Sequence, residues 1–125
     1  MKNTHSAPLL LLSLLFIFCM GCKKEESIGG TGEIKGQSFY NGKATKTSNI
    51  YNKYGSQTSP GSDVSKYDSS IIGDSDRKFN FKELKSGDYY IHVVIMENGQ
   101  IFTGGEHVAL GNNEIKDNLN IEVYP

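Results

Sequence analysis

The sequence predicts an all-β fold for residues 32–125, a small antiparallel sandwich of two sheets with about seven strands, and three observations lead there. Apolar and polar residues alternate in short runs, the period of a strand with one face in a core. Nowhere after Gly32 does a 3.6-residue apolar period hold for three turns, so no amphipathic helix is expected to cover a sheet. The runs are separated by clusters of Gly, Asn, Asp and Ser, and one of these, Asn98-Gly99, is the strongest hairpin signal in the chain. Two sheets packed face to face bury such one-sided strands, and closure into a barrel is the alternative.

Taken in order, Gly32–Phe39 reads as the first strand and Asn41–Lys43 as a turn in which Gly42 supplies a positive φ. Thr45–Tyr54 is a second, more polar strand, supported by its β-branched and aromatic residues. Gly55–Lys66 has the Gly, Ser and Pro density of a long loop, the kind of segment on which binding often resides. Ser69–Ile72 is a short strand, Gly73–Arg77 a turn, and Lys78–Glu83 a strand with Phe79 and Phe81 on one face. Tyr89–Met96 is the strongest strand: Tyr89, Ile91, Val93 and Ile95 share one side, and Tyr90, His92, Val94 and Met96 the other. Both sides are largely apolar, which predicts a central strand. After Asn98-Gly99 the chain returns through Gln100–Thr103; Gly104-Gly105 predicts a bulge or second turn, followed by a strand at Glu106–Leu110. A Gly-Asn-Asn-Glu turn then leads into Asp117–Tyr124, with Leu119, Ile121 and Val123 inward.

Residues 1–21 differ from the rest: they hold 13 of about 46 apolar residues, leaving about 32% in the following 104, against about 45–50% in ordinary globular domains. Behind Lys2 and His5, Leu9–Phe18 is too short for a spanning helix of about 20 residues and fits the apolar region of an export signal. The signal ends in Cys19-Met20-Gly21-Cys22, which resembles the bacterial lipobox, although Cys19 stands where that motif usually has Leu, Val or Ile. The resemblance implies cleavage before Cys22, diacylation of its thiol and, usually, acylation of the freed amine. Two or more acyl chains anchor stably, so the mature chain is expected on a membrane, with residues 22–31 as lipidated cysteine and tether. The run Lys23, Lys24, Glu25, Glu26 resembles the surface-export tag of some Gram-negative lipoproteins. It implies a lipid-anchored outer-membrane protein exposed on the cell surface; the alternatives are a periplasm-facing orientation and a merely solvated tether.

Composition removes several functions. Beyond the leader the formal charge is −2, so no field would recruit nucleic acid. The only cysteines are Cys19 and Cys22, which leaves the sandwich without a disulfide, a thiolate nucleophile or a cysteine zinc site. No GxSxG, HExxH, Walker loop or dinucleotide glycine pattern occurs, so no enzyme activity and no cofactor is expected. Asp74 and Asp76, with Asp63 and Asp68 upstream, are the one clustered carboxylate set; calcium takes such ligands, but turn formation by Asp explains them more simply. His92 and His107 have no second histidine at metal-binding spacing.

The stretches Gly32–Gly36, Asn41–Ala44 and Phe79–Val93 together resemble the transthyretin-like or prealbumin-like sandwiches, including the carboxypeptidase regulatory-like and collagen-adhesin B-type modules. The most specific part is Phe79-x-Phe81 followed by Leu84-x-x-Gly87-x-Tyr89, which looks like that family's corner between sheets. The resemblance implies a transthyretin-like, Ig-like sandwich in which Tyr89 buries its ring and ties its hydroxyl to nearby backbone. Arg77 replaces a glycine common in the family at the preceding turn. The resemblance also nominates Lys35 with Asn118 or Asn120 for an isopeptide crosslink, but the acid that promotes it is missing from the Tyr89–Met96 strand. A fold signature names no ligand.

Tyr40, Tyr51, Tyr54 and Tyr67 lie around the second strand and the long loop. Exposed, they would stack on sugars or anchor a protein partner; otherwise they are amphipathic strand residues with a face in the core. The expectation is thus a lipid-anchored, non-catalytic sandwich with a binding or envelope-structural role. The alternative is a surface glycan-binding module using Tyr51, Tyr54, Tyr67 and the loop over residues 55–66.

Overall fold

The computed structural model describes residues 27–46 and 49–125, and these form an all-β sandwich of two four-stranded sheets. The strands are β1 (Ile28–Tyr40), β2 (Lys43–Ala44), β3 (Asn49–Tyr54), β4 (Ser69–Ile72), β5 (Phe79–Leu84), β6 (Gly87–Glu97), β7 (Gln100–Leu110) and β8 (Ile115–Glu122). In the first sheet β1 pairs with β2, β5 and β8; the second has the order β4-β3-β6-β7. Every pairing is antiparallel except β1 with β8, which run parallel. The parallel pair departs from the purely antiparallel sandwich expected, because the last strand comes back to the first after the chain has traversed the second sheet.

The inner faces follow the alternation in the sequence. Tyr89, Ile91, Val93 and Ile95 of β6 are 0–4% exposed and meet Ile34 of β1, Phe79 and Phe81 of β5 and Ile121 of β8 in one core. Each such side chain contributes about 1.5–3 kcal/mol on burial. With no cysteine beyond residue 22, this core holds the sandwich without a staple. The corner between β5 and β6 takes the expected form: Tyr89 is fully buried and its hydroxyl donates to the Lys85 carbonyl at 2.6 Å.

Three segments differ from expectation. The first strand starts at Ile28 rather than Gly32, because the glycine-rich segment that reads as linker pairs with the end of β5 through a bulge. There Gly30 is so close to β5 that a Cβ would sit 2.2 Å from the Leu84 carbonyl oxygen. The expected strand Thr45–Tyr54 starts later, as β3 at Asn49 in the second sheet, and just before its expected start Lys43–Ala44 pair as β2 in the first sheet, so the chain changes sheets between them. Gly104-Gly105 is neither a bulge nor a turn, since β7 runs unbroken and pairs in register with β6 throughout. The glycines serve close approach. A Cβ on Gly104 would lie 2.0 Å from the Glu122 carbonyl oxygen, where the end of the chain bridges Thr103 to Tyr124. On the other face the Tyr90 ring lies across Gly105.

Candidate functional site

The nominated tyrosines do not form one group. Strand alternation places Ile50, Asn52 and Tyr54 of β3 toward the core and Asn49, Tyr51 and Lys53 on the open side of the second sheet. Tyr54 packs against the Tyr89 ring at 5.1 Å, and its hydroxyl donates to the Ser86 carbonyl at 3.0 Å. It packs partly buried against the core, on the opposite side of the sheet from Tyr51.

Tyr51 and Tyr67 do come together, and they are joined by His92, a residue given no role by sequence reasoning. Tyr51 lies opposite His92 in the β3–β6 ladder. Tyr67 stacks on the His92 ring at 5.3 Å with a 20° interplanar angle, and Tyr51 is 5.8 Å from Tyr67. Tyr67 is buried, because residues 55–66 fold back over it and its hydroxyl donates to the Gly61 carbonyl at 2.8 Å. Tyr51 stays half-buried, the one ring of the three with substantial access to solvent. Burial raises the Tyr67 hydroxyl pKa and lowers that of His92, keeping both neutral in this apolar stack.

Aspartates pin the loop that frames these rings. Asp63 accepts from the Ser65 amide at 3.1 Å and caps a short 3₁₀ turn over Val64–Lys66. Asp68 accepts from the Tyr54 amide at 2.7 Å and pairs with Lys53 at 3.4 Å. At the other end Gln57 donates to Asp88 at 3.3 Å, and Asp88 holds His107 at 2.9 Å. The His107 and Gln57 hydrogen bonds hold the Asp88 carboxyl below its ordinary range. The loop is thus tied at several points and is not a bare insertion.

The carboxylate candidates also resolve into structural roles. Asp74 Oδ1 accepts from the amides of both Asp76 and Lys78 at 2.9 Å, closing the turn before β5. Asp76 is exposed beside it, and no group of three or more His, Cys, Asp or Glu able to hold a metal ion is present among the described residues. Arg77 adopts the left-handed conformation, φ 66°, that a glycine would take at this turn. Cys22, Lys23, Lys24, Glu25 and Glu26 lie outside the described residues. Lys35, nominated for a crosslink, is 41% exposed and lies 4.0 Å from Glu33.

The open side of the first sheet carries a feature that the sequence did not disclose. A cleft of about 350 Å³ is lined by side chains of β1, β5 and β8, chiefly Lys35, Gln37, Asn80, Asn118 and Asn120, with Asp74 at its edge. Alternation alone marks these positions as outward and polar. That the parallel β1–β8 pairing gathers them was not readable from the local pattern.

No protein-family profile matches the chain, and no curated protein matches it. Among solved structures it is similar to a candidate carbohydrate-binding protein from Pseudomonas aeruginosa, at 15% identity and a TM-score of 0.47, over 78% of this chain and 92% of that one.

Proposed function

We propose that this chain is a non-catalytic glycan-binding sandwich, held at the outer membrane and displayed on the cell surface by a lipid on Cys22. The observation that carries the binding reading is the Tyr51 ring, partly exposed on an open sheet face and held by Tyr67 and His92. A ring fixed before binding loses little conformational freedom when a sugar stacks on it. The rim is polar, with the Lys53–Asp68 pair on one side and Ser70 opposite Tyr51 in the β3–β4 ladder. The lipobox-like segment supports the anchor, and the lysine–glutamate run behind it supports surface display.

A glycan array probed with the wild-type chain and with Tyr51→Ala tests the binding reading. Retention of at least one glycan by the wild type, lost in Tyr51→Ala and kept in Tyr54→Phe, is expected; retention of none overturns it. Labelled palmitate should enter the wild type and not Cys22→Ala, and incorporation that survives the substitution removes the anchor.

A further inference from the structure

We infer that the cleft on the open side of the first sheet is a second binding site, distinct from the Tyr51 face, and that it takes a neutral saccharide unit. Its size, about 350 Å³, falls at the small end of ligand pockets, which run to about 300–1,000 Å³. Its chemistry excludes most other ligands. The charged lining residues, Lys35, Lys78, Asp74 and Asp117, balance, so the cleft offers no net attraction to an anion or a cation. The amides of Gln37, Asn118 and Asn120 line it, each carrying a donor and an acceptor side by side, and Asn80 lies among them. A ligand that satisfies such pairs carries adjacent groups that both donate and accept, and vicinal hydroxyls do so.

Two further observations point to an incoming donor. Asn80 Oδ1 is buried and has no hydrogen-bond partner among the described residues. A buried acceptor left unpaired is costly, and a hydroxyl proton donated to it removes that cost. Across the cleft β8 bulges: Ile34 pairs with Lys116 and Gly36 with Leu119, so Lys35 alone faces both Asp117 and Asn118. Asn118 sits at φ 59° in this bulge. A bulge redirects side chains out of the regular pleat, here beside the row formed by Lys35 and its β5 neighbour Asn80.

This site shares only its ligand class with the proposed function and rests on the opposite face, so one experiment separates the two. The purified full chain in detergent is titrated with glucose, galactose, N-acetylglucosamine and their dimers, with galacturonic acid and glucosamine as charged counterparts, while backbone amide chemical shifts are followed. Saturable shifts at residues 35–37, 78–80 and 117–120 with a neutral sugar are expected. Asn120→Ala, an exposed position, should weaken them about five-fold, the worth of one neutral hydrogen bond. Asn80→Leu should abolish them while leaving the melting temperature unchanged or higher, since it removes the unpaired acceptor. Shifts confined to Tyr51, Tyr67 and His92 overturn the cleft and leave the proposed function standing. No shift with any sugar overturns both, and shifts at the cleft with charged sugars alone overturn the neutral ligand.

Discussion

Two residues show how a single side chain fixes local geometry here. Tyr89 is wholly buried, and its hydroxyl reaches the Lys85 carbonyl at 2.6 Å across the turn that leads from one sheet to the other. Burial, with Tyr54 nearby, pushes its hydroxyl pKa far up, so it stays a donor throughout the physiological range. Tyr89→Phe keeps the ring and removes that donor; stability should fall by about 1–2 kcal/mol, read as a lower urea midpoint at constant slope. An unchanged midpoint would mean that the ring alone makes the corner. Arg77 presents the reverse case. It occupies a left-handed conformation with a side chain that gains nothing from it, and Arg77→Gly should leave stability unchanged or raise it by up to about 1 kcal/mol. The Phe-x-Phe, Gly-x-Tyr pattern made the first of these legible in advance. The second was legible only as a departure from a resemblance.

At the level of elements, strands with strict alternation were readable and elements set by distant backbone were not. β4, β5 and β6 appear within two residues of their expected bounds because burial on one face dictates their pattern. Gly104-Gly105 misled, since a glycine placed for close approach reads the same as one placed for a turn; only the return of Glu122 and Tyr124 to β7 shows which it is. The tyrosine group misled for a related reason: Tyr51 and Tyr54 are three apart in a strand and therefore face opposite sides. What joins Tyr51 to Tyr67 is His92, from a strand distant in sequence. Its ring is buried with Nε2 unpaired among the described residues, and desolvation alone lowers its pKa from 6.5. The folded state therefore binds fewer protons than the unfolded state between the lowered value and 6.5. Stability from this group is complete above that window and is lost as pH falls through it. The Asp63, Asp88 and Glu114 carboxyls are held below their ordinary values, so their losses come at lower pH. His92→Phe keeps an aromatic stack and should flatten the pH dependence of the urea midpoint over the interval just below about pH 6.5. A midpoint that still falls over that interval in the variant assigns the slope to other groups.

For the whole molecule, the early start of β1 decides how the sandwich would stand on a membrane. Ser27 is buried and its carbonyl accepts from the Lys85 amide at 2.8 Å, so the sandwich holds the chain from this residue onward. From Cys22 to Ser27 the chain spans five residues, at most about 18 Å when extended. The same end of the sandwich holds the turn from Gly111 to Glu114, since Glu33 donates to the Glu114 carbonyl and Thr31 bonds Asn113. The Asn98-Gly99 hairpin lies at the far end of β6, eleven residues away along the strand, or roughly 35 Å. With a lipid on Cys22, a bulky reagent should therefore reach the hairpin freely and the Gly111–Glu114 turn poorly. Cleavage before a lipidated Cys22 would leave no other free cysteine, so Asn98→Cys and Asn112→Cys could each be labelled singly with a polymer-linked maleimide on reconstituted vesicles. Asn112→Cys should react several-fold more slowly than Asn98→Cys on vesicles and at the same rate once detergent dissolves the bilayer. Equal rates on intact vesicles would show that the sandwich does not stand on this end, and would place its two open faces at angles to the membrane other than those a five-residue tether imposes.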